Sequence, residues 1–154
     1  LMHLGASKKD YYIGCLISYG ILAFGISFVN TMIHLLIDPA YSAKSVINMV
    51  DVCKWTDNGI IVAGIQQMFF LLLVMIFLHV LLSMQPHWYG WLTDAVLVAI
   101  ISIFTPIAPL RAVLGGFFQI IMLNSNAILH IGACLLLSIA LSFVGLLVLK
   151  KKTL

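Results

Sequence analysis

Five histidines, three cysteines and five acidic residues are the side chains of this 154-residue chain that could carry acid–base, nucleophilic or metal chemistry. Every acidic residue is an aspartate. His3, His34, His79, His87 and His130 are scattered along the chain, with no HxxxH or HExxH spacing that would put two ring nitrogens on one metal. Cys15, Cys53 and Cys134 form no CxxC pair, and only Cys53 lies clearly outside an apolar run, so neither a disulfide framework nor a metal knuckle is expected. No GxSxG elbow and no phosphate-binding glycine loop is present. A reaction needs an acid, a base or a metal within reach of its substrate, and no such cluster can be drawn from these positions. The expectation is a protein with no catalytic residues, no metal site and no enzymatic activity of its own.

The polar residues inside apolar runs are the next candidates. Asn30 and His34 lie one helical turn apart, and Gln66–Gln67 is an amide pair within a run that is otherwise apolar. Such groups can line a polar path, but hydrogen bonding between helices is their commoner use. Small residues at helical spacing, Gly14 with Ser18, Ala23 with Ser27, and Ser138, Ser142 and Gly145, would let neighbouring helices approach closely.

What must position these groups is a set of membrane helices. The chain is 63% hydrophobic and only 8% charged, against about 25% charged in an ordinary soluble domain. The net charge of +3 arises mainly from lysines near the two ends, which is a topology signal and not a nucleic-acid patch. We expect an all-α, polytopic helical membrane protein: one transmembrane domain over 1–154, with four transmembrane helices at about 11–37, 60–83, 92–108 and 127–149. The first of these runs exceeds a hydrocarbon core of about 30 Å, and the third carries Asp94 close to its cytoplasmic start.

Between the first two spans, 38–59 reads as an outer loop. Asp38–Pro39 ends the first helix, Trp55 reads as an interfacial anchor, and Ala43–Trp55 has the apolar spacing of a short amphipathic surface helix. After Phe104, the Thr105-Pro106-Ile107-Ala108-Pro109 stretch breaks the helical pattern. The apolar segment that follows, with Arg111 and Gly115–Gly116, is too short for a comfortable span, so 107–125 is expected to form an outer re-entrant or interfacial hairpin. Lys8 and Lys9 precede the first span and Lys150, Lys151 and Lys152 follow the last, which places both termini in the cytoplasm.

The stretch Leu4-Gly5-Ala6-Ser7-Lys8-Lys9-Asp10-Tyr11-Tyr12, followed by Ile13-Gly14, resembles the LG-x-S/T-R-K-x-[FY] segment of permease subunits of bacterial type-2 ABC exporters. The order of elements downstream is also similar: a span, an extended outer loop, a span, a short aromatic inner turn at Met84–Trp91, a span, an outer hairpin, and a last span ending in basic residues. The resemblance covers the whole chain as spans three to six of a six-span subunit, and implies that the chain is the C-terminal part of a longer polypeptide. Lys8 stands where the family often has arginine, and the inner turn has no lysine or arginine.

The resemblance implies a multi-pass subunit of the bacterial inner membrane that couples ATP hydrolysis on a separate nucleotide-binding ATPase subunit to efflux. ATP and Mg would sit on that partner, with no cofactor on this chain. Leu4, Gly5, Ser7, Lys8, Lys9 and Asp10 would form the loop coupled to the ATPase. Pro106, Pro109, Arg111, Gly115 and Gly116 would belong to a hairpin closing an outer gate. Partners would be the ATPase, a second permease copy and the lipid bilayer, with no nucleic acid. The alternative is a small helical membrane accessory or assembly protein without transport activity.

Overall fold

The structure, a computed structural model, describes residues 7–37 and 48–151, and for Lys151 the backbone alone. Leu4 and Gly5 of the expected coupling loop, residues 38–47 of the expected outer loop, and Lys152 lie outside the described residues. The described chain is helical, in the order α1 (Lys8–Leu36), α2 (Met49–Val52), a 3₁₀ turn (Trp55–Asn58), α3 (Ile60–Met84), α4 (Trp88–Phe104), α5 (Ala108–Ile121) and α6 (Ala127–Lys151).

Helix α1 starts three residues earlier than the span read from hydropathy. Ser7 is its N-cap: the Ser7 hydroxyl accepts from the Asp10 backbone N–H at 3.2 Å, and the Asp10 carboxylate accepts from the Ser7 N–H at 3.1 Å. This reciprocal box satisfies two donors that a helix start otherwise leaves open. Lys8, Lys9 and Asp10, expected in a loop, therefore form the first helical turn.

Among the described residues three helices, α1, α3 and α6, are long and apolar enough to cross a membrane, and the number rises to four if α4 and α5 together count as one broken span. Helix α3 is the centre of the packing, with α1 and α6 against it. It runs antiparallel to α1, since Ser27 meets Gly64 near one end while Tyr19 meets His79 near the other. It runs parallel to α6, whose first turns lie beside the 3₁₀ turn that precedes α3.

Small residues set the close approaches. The Ser27 hydroxyl donates to the Gly64 carbonyl at 2.5 Å, and a Cβ on Gly64 would stand 2.8 Å from the Thr31 hydroxyl. On α6, Gly145 is buried under Tyr12 of α1, whose phenol occupies the space that a side chain at 145 would need. In the first turn of α4, buried Gly90 lies against the Met84 carbonyl at the end of α3, which leaves no room for a Cβ.

Two expectations need correction. Of the expected surface helix at 43–55, only Met49–Val52 is α-helical among its described residues, and Trp55 already belongs to the 3₁₀ turn. The chain then turns through Lys54 at φ 57 and reaches α3 through Gly59 at φ 89, and this double turn folds the segment onto α3. Trp55, expected to anchor at an interface, is instead fully buried. It packs with Val50, Cys53 and Ala63, against Phe70 and Met122. The second correction concerns the third span: the helix runs over Trp88–Phe104, not 92–108, and after Thr105–Ile107 the axis bends by 119° into α5. Pro109 falls in the first turn of α5, where a missing N–H costs no helical bond.

Candidate functional site

The polar side chains of the interior gather at the end of the bundle that holds α2, the 3₁₀ turn and the α5–α6 connection. There the adjacent amides of α3 divide their work. Gln67 accepts from the Asn30 amide of α1 at 3.1 Å, and the same Asn30 amide donates to Asn48 at 3.0 Å, next to α2. Gln66 accepts from the Asn58 amide at 3.3 Å and reaches the Asn124 carbonyl at 3.4 Å. Asn58 also donates to the Ser125 carbonyl. Both glutamines are buried, so each bond is made where a lost partner would leave an unpaired amide.

A second set of contacts fixes the end of α5. The Ile121 carbonyl, last of that helix, is 3.0 Å from Nε2 of His130 and 3.6 Å from the Cys134 thiol, both on α6. His130 is fully buried, with its ring 5.1 Å from that of Trp55. With Nε2 as donor to the carbonyl, Nδ1 of this imidazole is an acceptor. His34 and Asp51 lie 3.5 Å apart and join the end of α1 to α2.

The buried amides of Gln66 and Gln67 are thus occupied with other amides or a backbone carbonyl, and His130 is held through Nε2, while its buried Nδ1 has no hydrogen-bond partner among the described residues. Among the described residues no group of three or more His, Cys, Asp or Glu side chains is placed to hold a metal ion. At the opposite end, the Tyr19 hydroxyl and His79 Nδ1 are 2.6 Å apart, linking α1 to α3, and the Gln85 amide donates to Asp94 at 2.5 Å, linking α3 to α4.

Between the 52–54 turn and α5 lies an open cleft of about 580 Å³, in the size range of ligand sites, roughly 300–1,000 Å³. Val52, Cys53 and Lys54 form one wall, and Ala112, Gly115, Gly116, Gln119 and Leu123 the other. Burial pushes the Cys53 thiol above its usual pKa.

The residues expected in the two functional segments fall at opposite ends of the molecule. Ser7, Lys8, Lys9 and Asp10 cap α1, with Lys8 half-buried and Lys9 exposed. Pro106, Pro109 and Arg111 are exposed along the α4–α5 bend and the start of α5, while Gly115 and Gly116 line the cleft. Sequence reasoning missed Asn48 and Asn58, misplaced Trp55 at an interface, and had no role for His130. Nothing in their local sequence marks them, because their partners lie far away along the chain. The Ser7–Asp10 spacing was a usable signal for the helix start. Comparison with protein-family models, curated proteins and solved structures finds no match to this chain.

Proposed function

We propose that the chain is a membrane-spanning permease subunit of an ATP-driven exporter of the type-2 ABC class, working with a separate nucleotide-binding ATPase and a second permease copy. The observation that carries this reading is the α4–α5 pair: two apolar helices bent by 119° around a proline-containing break, with the far end of α5 returned to the start of α6. A re-entrant element before the last span has this form, since its carbonyl ends must be held by protein if the backbone stays at membrane depth. The lysine pair in the capped first turn of α1, at the opposite end, supports a cytoplasmic contact surface there. Both termini then face the cytoplasm, the cleft beside α5 faces outward, and ATP with Mg is bound by the partner alone.

Purification of the full-length protein from native membranes in mild detergent tests this. A nucleotide-binding subunit should come with it, and changing Lys8 and Lys9 to alanine should lower the ATPase activity of the complex. If no ATPase accompanies the protein, the permease reading is lost. The second reading, an accessory or assembly protein, is favoured by one observation. The interior amides of α3 are used by hydrogen bonds within the subunit, as they would be in a protein whose polar groups serve packing and not passage of a substrate.

A further inference from the structure

The cleft between the 52–54 turn and α5 has a chemistry that the bundle does not need. Among the described residues its lining carries one cation, Lys54, exposed at the rim, and no carboxylate. Asp51 is engaged with His34, and Asp57 lies outside the cleft lining in the 3₁₀ turn. Arg111 is exposed one turn before Gly115 on α5, adding a second cation on the approach to the cleft. Gln119 contributes an amide, while Val52, Ala112 and Leu123 give apolar walls.

Gly115 and Gly116 keep the cleft open, and no neighbour among the described residues requires them, since a Cβ on either would meet none of these within 4 Å. Exposed Val113, Phe117 and Ile120 continue the apolar surface along the adjoining face of α5. A site whose described lining offers one or two cations, no acid, an amide donor and an apolar wall leading away from it suits an anionic group carried on a hydrocarbon chain.

We propose that this cleft binds the headgroup of an anionic phospholipid, with Lys54 and Arg111 on the phosphate, the Gln119 amide beside it, and the acyl chains along the Val113–Phe117–Ile120 face. Headgroup binding here requires that the helices sit in a bilayer, but it does not depend on an ATPase partner, so it can stand or fall apart from the permease reading. The lipid would tie the 52–54 turn to α5 from outside, where the two walls face each other across open space.

Native mass spectrometry of the detergent-solubilised full-length protein tests this, with phosphatidylglycerol, phosphatidylcholine and inorganic phosphate offered separately. Phosphatidylglycerol should be retained in preference to phosphatidylcholine. Lys54→Ala should reduce that retention about fivefold, the effect of losing one basic contact to an anionic lipid. Lys54→Arg should keep it. Gly115→Leu fills the cleft and should abolish retention, and Gly115→Ala, which suits a helix better than glycine, should weaken it with the fold intact. Equal retention of the two lipids, or retention indifferent to both Lys54→Ala and the Gly115 variants, overturns the proposal. Displacement of bound phosphatidylglycerol by millimolar inorganic phosphate also overturns it, by assigning the cleft to a soluble anion.

Discussion

Helices α1, α3 and α6 bury Tyr12, Ser27, Gln66, Gln67, His130 and Ser138 among their apolar residues, whereas α4 buries only Gly90 and α5 only Ile121. Both regions are apolar, so composition does not separate them. Polar bonds and small residues do. In the bundle, Ser27 meets Gly64, Tyr12 fits over Gly145, and two glutamines hold segments from three other parts of the chain. The α4–α5 pair is fastened at its ends, by Gln85 to Asp94 near one and by His130 to the Ile121 carbonyl at the other. Between those points Val96, Val98, Ile101, Ile103, Val113 and Phe117 are exposed. Burying apolar area gives no advantage inside a bilayer, where lipid tails are equally apolar, so specific packing and hydrogen bonds decide which helices belong to a core. The bundle is packed as that rule requires of helices in a bilayer, and the α4–α5 pair keeps most of its apolar surface exposed.

The largest effect that would sharpen this contrast is at Trp55, the plug between Phe70 and His130. Trp55→Ala should lower stability by about 3–5 kcal/mol, read as the shift in unfolding in mixed detergent micelles. Trp91, exposed on α4, gives the comparison: Trp91→Ala should stay within about 0.5 kcal/mol. Similar losses at the two tryptophans would break the distinction between the regions.

Glycines provide a test in which the sign differs. Gly145→Ala forces a Cβ against the Tyr12 phenol and should destabilise by about 1–3 kcal/mol. Gly115→Ala meets nothing and replaces a poor helix former, so it should stabilise by up to about 1 kcal/mol. A smaller contrast is expected for amides. Gln67→Leu leaves the Asn30 amide short of one acceptor in the interior and should cost about 1–3 kcal/mol, while exposed Gln119→Leu on α5 should change stability by less than about 0.5 kcal/mol. If Gln67→Leu were as mild, the amide pair would not be what holds α1 to α3.

The apolar helices were legible because length and absence of charge are enough to mark them, and the break at Thr105–Pro109 was legible because proline removes a donor wherever it stands. The start of α1 was also written in the sequence, in the Ser7–Asp10 spacing, but a hydropathy reading begins only where charge stops. Trp55 was misread for a different reason. A tryptophan in a charged segment has the pattern of an interfacial anchor, and its burial depends on Lys54 in the left-handed region and on Phe70 and His130, which are 15 and 75 positions further on. The glutamine pair was recognised as interhelical, yet Asn58, which donates to Gln66, and Asn48, which shares the Asn30 amide with Gln67, lie in a connection whose path no local rule fixes. In the cleft, the Gly115–Gly116 pair was visible in sequence, but the wall opposite it was not.

Cys53 stands on the border between the two regions, buried in the Trp55 cluster while lining the cleft that faces α5, and it yields the smallest and most local test. Thiols react with maleimides as thiolates. Burial raises the Cys53 pKa, so at any pH below that raised value a smaller fraction is ionised than in a free thiol. Labelling of Cys53 should therefore be slower at pH 7 than labelling of a cysteine placed at exposed Val113 on α5, and should go on rising with pH after the Val113→Cys rate has levelled off. Peptide mapping separates both from Cys15 and Cys134. If the two sites label at the same rate with the same pH dependence, the 48–59 segment opens as freely as α5 is exposed, and it belongs with the α4–α5 pair and not with the bundle.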